Sequence, residues 1–284
     1  MDTNSPNEMA RSPYGAWLQA EHVNRFSTWD SYSTSRLVRL CDQFNECQFF
    51  RTLVGDESCR TLSDIGCATG RCYRFFHKLW PSLEYKGYDI SEGAIERARK
   101  LYPDGDFKVI DGRFKTLPEV QADIVFCRDV VLHQVDPCQF LSDLYEVANR
   151  YLILRLRTRE VGATVFDISR SCQYNYGSWV PYLVFNTSEL IDFIKTFEPT
   201  PTAITIRRHP VVLGGYHSRF LPKELYYPET DAAETALIIE KGSNAVGNKD
   251  TVVTKETRPE SRGRERAQWV QLLRRLAGAA GIGA

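Results

Sequence analysis

Along the middle of the chain, short apolar runs alternate with stretches in which apolar residues recur every three or four positions. The short runs fall at 61–65, 84–89, 107–111, 122–127 and 151–156, and their length and flanking turn residues predict strands. The stretches between them, at 72–80, 92–102 and 137–149, predict helices. In the last of these Phe140, Leu141, Leu144, Tyr145 and Ala148 share one face. Strand–helix alternation of this kind predicts a parallel sheet with helices on both faces. A long segment follows the fifth strand. Asn186 with Glu189 then has the spacing of a capping box, which predicts a helix running to about 197. Strands at 203–208 and 235–240 complete the sheet.

The two ends of the chain read differently. Residues 1–12 carry no pattern and are expected to be disordered. From 14 to 50, Leu37, Leu40, Cys41, Phe44 and Cys47 recur at helix spacing and predict a helical cap. The segment 242–263 is polar and short of apolar residues, which reads as a disordered linker. Beyond it Trp269, Leu272, Leu273 and Leu276 form an i, i+3, i+4, i+7 stripe beside Arg266, Arg274 and Arg275. That is a short basic amphipathic helix, of a type that docks on a partner protein or an anionic membrane surface. The expected organisation is a tail at 1–12, a helical cap at 13–55, a central domain at 56–242, and a linker with a short helix at 243–284.

Composition narrows the classes without choosing one. The 284 residues suffice for one α/β domain with additions at each end, and 43% hydrophobic with 25% charged residues is ordinary for a globular chain. Lys and Arg together number 36, as do Asp and Glu, so no global charge points to nucleic acid or an acidic membrane. Cys41, Cys47, Cys59, Cys67, Cys72, Cys127, Cys138 and Cys172 include no C-x-x-C pair, and several fall in predicted elements. They read as small buried hydrophobes rather than as a metal or disulfide framework. No apolar run approaches the roughly 20 residues that span a bilayer, and residues 1–10 lack the apolar stretch of a secretion signal. A reduced cytoplasm is the expected location; the oligomeric state is left open.

The chemistry begins at the first strand, which runs into Asp64-Ile65-Gly66-Cys67-Ala68-Thr69-Gly70, while Asp89 ends the second strand nineteen residues after Gly70. Two glycines let a turn fold tightly and let a ligand approach the backbone, and an acid at the tip of the next strand can grip two ribose hydroxyls. A dinucleotide site needs G-x-G-x-x-G, which is absent, so a nicotinamide-dependent oxidoreductase is the weaker reading. The D-x-G-x-x-x-G string resembles motif I of the class I S-adenosylmethionine-dependent methyltransferases, and the resemblance continues in order over about 61–241. It implies S-adenosylmethionine as cofactor and a seven-stranded, mostly parallel doubly wound sheet of order 3-2-1-4-5-7-6, with an N-terminal helical cap and a C-terminal tail. Asp64, Gly66, Cys67 and Gly70 would form the cofactor turn, Asp89 with Ile90 the ribose site, and Asp111 with Gly112 the adenine site. Arg128 would face the cofactor at the end of the fourth strand. Cys67 stands where many members carry a third glycine.

Methyl transfer from a sulfonium is an in-line displacement, so the protein mainly aligns two reactants and excludes water, a contribution of about 7–11 kcal/mol. A hydroxyl acceptor also needs a base. His133, with an unperturbed pKa near 6.5, is one candidate and Asp129 the other; the alternative for His133 is packing behind the pocket. His77, His209 and His217 are poorer candidates. The most aromatic stretch, 174–185, follows the fifth strand, and Tyr174, Tyr176 and Trp179 are its candidate substrate residues. Their rings suit a sugar or a planar molecule, and a satellite core under a long loop is the rival reading. No basic residues are interleaved, which argues against nucleic acid. The expectation is methylation of a small molecule, a sugar or secondary metabolite, at oxygen. The rival is a degenerate scaffold of the same fold that binds a partner.

Overall fold

The computed structural model describes residues 14–19, 23–24, 31–175, 178–211, 220–221, 231–242 and 251–257. The central domain follows the alternation closely: β1 (Thr61–Ile65), β2 (Glu84–Asp89), β3 (Asp106–Val109), β4 (Ala122–Arg128) and β5 (Ala148–Arg159). After β5 come β6 (Cys172–Asn175), β7 (Ser178–Pro181), β8 (Phe185–Asn186), β9 (Ala203–Pro210), β10 (Phe220–Leu221), β11 (Ala233–Glu240) and β12 (Val252–Thr257). The helices are α1 (Thr34–Cys41), α2 (Asn45–Leu53), α3 (Tyr73–Leu79), α4 (Glu92–Leu101), α5 (Pro137–Val147) and α6 (Thr187–Ile194). A 3-10 turn at Gly15–Leu18 precedes them.

The main sheet runs β12-β9-β11-β5-β4-β1-β2-β3, with β8 pairing beside β5. The seven expected strands keep the expected order, and β11 lies antiparallel to both β5 and β9. Two differences stand out. The sheet has nine strands rather than seven. Its outer edge is β12, where a disordered linker was expected, paired parallel with β9 from Val252↔Ala203 to Thr257↔Arg208. Its β-branched Val252, Val253, Thr254 and Thr257 suit an edge strand, and β9 offers an open ladder to pair with; composition alone had hidden that partner. The Trp269 to Leu276 stripe lies outside the described residues.

Strand alternation splits the core into two layers. Val125 and Cys127 of β4 join Leu152, Leu154, Leu141, Leu144 and Ile194 on one face. Ile124 and Phe126 face the other way, with Ile153, Phe50, Phe75, Phe76 and Ile95. The helical cap belongs to this second layer through Cys41, Cys47, Phe49 and Phe50. Helix starts obey the expected chemistry: Ser91 caps α4 and Asp136 caps α5. Asn186 caps α6 through Ser188 N and Glu189 N, but Glu189 does not close the box. Its carboxylate accepts from Thr164 N at 2.9 Å and ties the loop after β5 to the helix.

Candidate active site

The carboxyl ends of β1 to β5 open on one cavity of about 1520 Å³, at the point where the strand order reverses between β1 and β4. Its first half is built by the glycine turn and the ends of β2 and β3. Gly66 has φ +82° and Gly70 φ +75°, the left-handed region where side chains are strained. A Cβ on Gly66 would lie 2.2 Å from Val130 Cγ2, and one on Gly70 would lie 2.7 Å from Phe107. Gly66 lines the cavity; Gly70 is instead held in place by the rings behind it. Asp89, 8% exposed, sits at the mouth of the turn. Its Oδ2 accepts from Ala68 N at 2.8 Å and its Oδ1 from Ser91 N at 2.9 Å. Burial raises its proton affinity, and these amide bonds oppose that shift. Each oxygen keeps a second lone pair for a ligand. Ile90, Asp111 and Gly112 line the same half, with Val109, Ile110, Phe114 and Leu117 as apolar walls. Asp111 is exposed and its carboxylate accepts from Arg113 N and from the Arg113 guanidinium.

Not every residue of the expected turn reaches the cavity. Asp64 is 2% exposed and lies behind it, accepting from Tyr85 Oη at 2.7 Å, and burial pushes its pKa up to about 7. Cys67 also departs from expectation. The turn presents Gly66 and Ala68 to the cavity, and Cys67 between them points into the core layer with Phe107 and Tyr85. The thiol is thus a packing group.

The second half carries charge. Asp129 follows β4 with φ +58° and accepts from Arg155, from Arg157 Nη1 at 3.0 Å, and lies 3.8 Å from Arg128 Nη1. Arg155 also pairs with Glu234 at 2.7 Å. Arg128 donates to Glu46 Oε1 at 2.6 Å and lies over the Phe44 ring, 4.3 Å from its centroid. Strand register explains the cluster: Arg128 pairs beside Arg155 across β4 and β5, and Arg157 beside Glu234 across β5 and β11. Sequence reasoning missed Arg155, Arg157, Glu46 and Glu234, because a pairing between distant strands leaves no local signal. Burial alone would raise the Asp129 pKa, but Arg155, Arg157 and Arg128 hold it far below the usual carboxylate range. Its oxygens are thus taken up by guanidinium donors, which makes Asp129 a structural counter-ion and leaves His133 as the expected base that offers a free lone pair to the cavity.

His133 does face the cavity. Its Nδ1 lies 2.7 Å from Pro181 O, an acceptor, so Nδ1 carries the proton and Nε2 keeps its lone pair. Among the described residues Nε2 has no hydrogen-bond partner. Trp17 of the 3-10 turn packs on the imidazole at 4.5 Å, and Tyr182 at 5.8 Å. Burial lowers its pKa to about 4, against a smaller opposing effect of the Pro181 carbonyl.

The aromatic expectation fails on parity. Tyr174 and Trp179 are cross-strand partners in the β6–β7 hairpin, and their rings meet at 5.7 Å on the face away from the cavity. Gln173, Asn175 and Tyr182 line the cavity instead. Tyr176 and His217 lie outside the described residues. His77 stacks on Tyr73 outside the cavity.

A doubly wound sheet whose glycine turn and strand-end carboxylate share one cavity defines a class, the nucleotide-binding α/β proteins. Residues 56–191 match the family model described as a methyltransferase domain, and this part of the chain is such a domain. An uncharacterized protein of Methanocaldococcus jannaschii is 26% identical over 121 residues, or 41% of this chain; the match spans 31% of that relative's length. Magnesium protoporphyrin IX methyltransferase from Synechocystis, solved with S-adenosylhomocysteine, is 15% identical, with a TM-score of 0.50 over 80% of this chain and 97% of its own. With S-adenosylmethionine bound, the same enzyme matches 85% of this chain and 100% of its own, again at 15% identity and a TM-score of 0.50. At that identity the likeness concerns the fold alone. Among the described residues no helix is long and apolar enough to cross a membrane.

Proposed function

We propose that this protein transfers a methyl group from S-adenosylmethionine to an oxygen of a small-molecule acceptor, such as a secondary metabolite, in the cytoplasm. One observation carries the reading: a single cavity of about 1520 Å³ joins the Asp89 turn to His133. Pockets for one ligand run to about 300–1,000 Å³, so this space suits two reactants side by side. The cofactor, when bound, supplies an electrophilic methyl on a sulfonium. The remaining work falls to the residues of the chain.

Asp89 would hold the ribose hydroxyls through the lone pairs its amide bonds leave open. Gly66 brings the backbone close, and Ile90, Asp111 and Gly112 would frame the adenine. Arg128, already paired with Glu46, would close the cofactor half toward the acceptor. His133 would receive the acceptor proton at Nε2 while Nδ1–H stays on Pro181. Its low proton affinity suits an acidic hydroxyl, as in a phenol or enol, better than a sugar alcohol, because proton transfer is most effective between matched pKa values. Trp17 and Tyr182, packed on the imidazole, would exclude water from that transfer.

Calorimetric titration of the full-length protein with S-adenosylhomocysteine, and separately with NADH, tests the reading. Binding of the former alone is expected. Binding of NADH alone would assign the cavity to a nicotinamide enzyme, and binding of neither would leave a scaffold that has lost its cofactor.

A further inference from the structure

Much of the polar surface in the second half of the cavity is already paired within the protein. Three guanidiniums there are matched by three carboxylates: Arg128 pairs with Glu46, while Arg155 and Arg157 share Asp129 and Glu234. The Tyr182 hydroxyl is hydrogen-bonded to Arg157. Gln134 Oε1 accepts from Tyr14 Oη at 3.3 Å, and Gln134 Nε2 donates to Val130 O at 3.2 Å. A ligand gains little at such groups, because each bond it made there would displace one already formed.

Gln173 differs from its neighbours. It is 5% exposed and lines the cavity, and its carboxamide makes no hydrogen bond to any described residue. Unlike the fully enclosed Thr69 hydroxyl, its amide atoms stay open to that space. A buried carboxamide left unpaired is costly, and one facing a cavity is placed to meet a ligand. Its position is also fixed by the backbone. Gln173 lies on β6, the middle strand of the three-stranded sheet, opposite Phe220 of β10 on one side and Val180 of β7 on the other. Directly after Val180 comes Pro181, whose carbonyl holds His133 Nδ1. The backbone position facing Gln173 is therefore one strand step, about 3.3 Å, from the one that orients the base.

We propose that Gln173 is a specificity-determining residue of the acceptor site, and that the acceptor is an uncharged hydroxyaromatic molecule carrying a carboxamide or lactam edge. A side-chain carboxamide holds a donor and an acceptor in one plane, and pairs in two hydrogen bonds with a group that presents the complementary pair. The acceptor hydroxyl would meet His133 Nε2 while its ring lies along Trp17 and Tyr182, which line the same space. A site built to hydrogen-bond such a group rejects an analogue that lacks it, because the buried amide is then left unpaired. The inference rests on the methyl-transfer reading of this cavity and names its acceptor.

The test titrates the full-length protein, saturated with S-adenosylhomocysteine, with 3-hydroxybenzamide, with 3-isopropylphenol of the same shape, and with the anion 3-hydroxybenzoate. The benzamide is expected to bind at least about tenfold more tightly than either of the others. In Gln173→Met, which keeps the length of the side chain and removes its polar atoms, the advantage over 3-isopropylphenol is expected to vanish while S-adenosylhomocysteine binds as before. In the wild type, the NMR signals of the Gln173 side-chain amide are expected to shift with the benzamide and to stay in place with 3-isopropylphenol. That reading does not depend on the variant folding. Equal binding of benzamide and isopropylphenol by the wild type, tighter binding of the benzoate, or an unmoved amide signal overturns the proposal. So does a Gln173→Met protein that keeps the preference, or one that loses S-adenosylhomocysteine along with it, which would hand Gln173 to the cofactor. If the wild type binds no S-adenosylhomocysteine, the cofactor reading fails separately, and the three probes are compared without it on the same terms.

Discussion

At the scale of single residues, the site is shaped by how far each titratable group is removed from water. Asp64 keeps its proton to about pH 7 because its carboxyl is buried behind the turn, whereas an unfolded Asp releases it near pH 3.9. Between those values the native state holds a proton that the unfolded chain has lost. The stability it contributes is full below pH 4 and declines as pH rises to 7. Asp64→Asn keeps an acceptor for Tyr85 Oη without the charge. Its thermal unfolding is expected to lose that slope and to gain on the order of 4 kcal/mol over wild type above pH 7; an unaltered pH dependence would refute the assignment. Asp129 is the opposite case. Asp129→Asn leaves Arg155 and Arg157 facing each other across a neutral amide, and denaturant unfolding should show a loss of about 3–5 kcal/mol. For His133, NMR of histidine-labelled protein should find the Nδ1–H tautomer at neutral pH and a transition near pH 4, as the Pro181 bond and the low pKa require. A transition near 6.5 would return the ring to solvent. His133→Ala should then lower kcat by about 10²–10⁴ with cofactor affinity intact.

At the scale of elements, β4 and β5 do two jobs with one alternation. Their inner residues Ile124, Phe126 and Ile153 fill the layer under the helical cap. The same parity carried two residues further puts Arg128 and Arg155 at the cavity, and two more bring Arg157 there. The strands, the turn glycines and Asp89 were legible in the sequence because each rests on local chemistry: an apolar run, a tight turn, an acid at a strand tip. The acceptor wall was not. A hairpin's aromatic composition does not say which face its rings take, and a shift of one residue exchanges Tyr174 for Gln173. The edge strand β12 was hidden for a related reason, since its stability comes from β9 and not from its own composition. Replacing Val252–Thr257 with a Gly/Ser stretch of equal length would strip the β9 ladder of its partner. A fall in midpoint of about 2–4 °C per kcal/mol lost is expected in thermal unfolding, with cofactor affinity unchanged because β12 lies four strands from β4. A drop in that affinity would show that the edge strand supports the site.

At the scale of the whole molecule, the cavity is where separate parts of the chain converge. The glycine turn and the ends of β2 and β3 bring one half. The other comes from β4, β5, the β6–β7 hairpin and the N-terminal turn at Gly15–Leu18, with Trp17 on His133 and Tyr14 Oη bonded to Gln134 at 3.3 Å. The N-terminal turn meets the sheet mainly through this cavity wall, so its order should depend on the site more than that of the central strands does. A ligand that binds only the folded state stabilises it by RT ln(1 + [L]/Kd), about 2.7 kcal/mol at a hundredfold excess over Kd. S-adenosylhomocysteine at that excess should therefore raise the unfolding midpoint of a chain this size by several degrees, and NADH should leave it unmoved. Hydrogen exchange locates the effect. Protection should increase first at the amides of Gly66, Ala68 and Ser91, which the bound nucleoside would cover, and should leave Trp17, on the acceptor side, unchanged. If S-adenosylhomocysteine alone protects Trp17 fully, the N-terminal turn closes over the cofactor and not over the acceptor, and the division of the cavity into two halves would have to be redrawn.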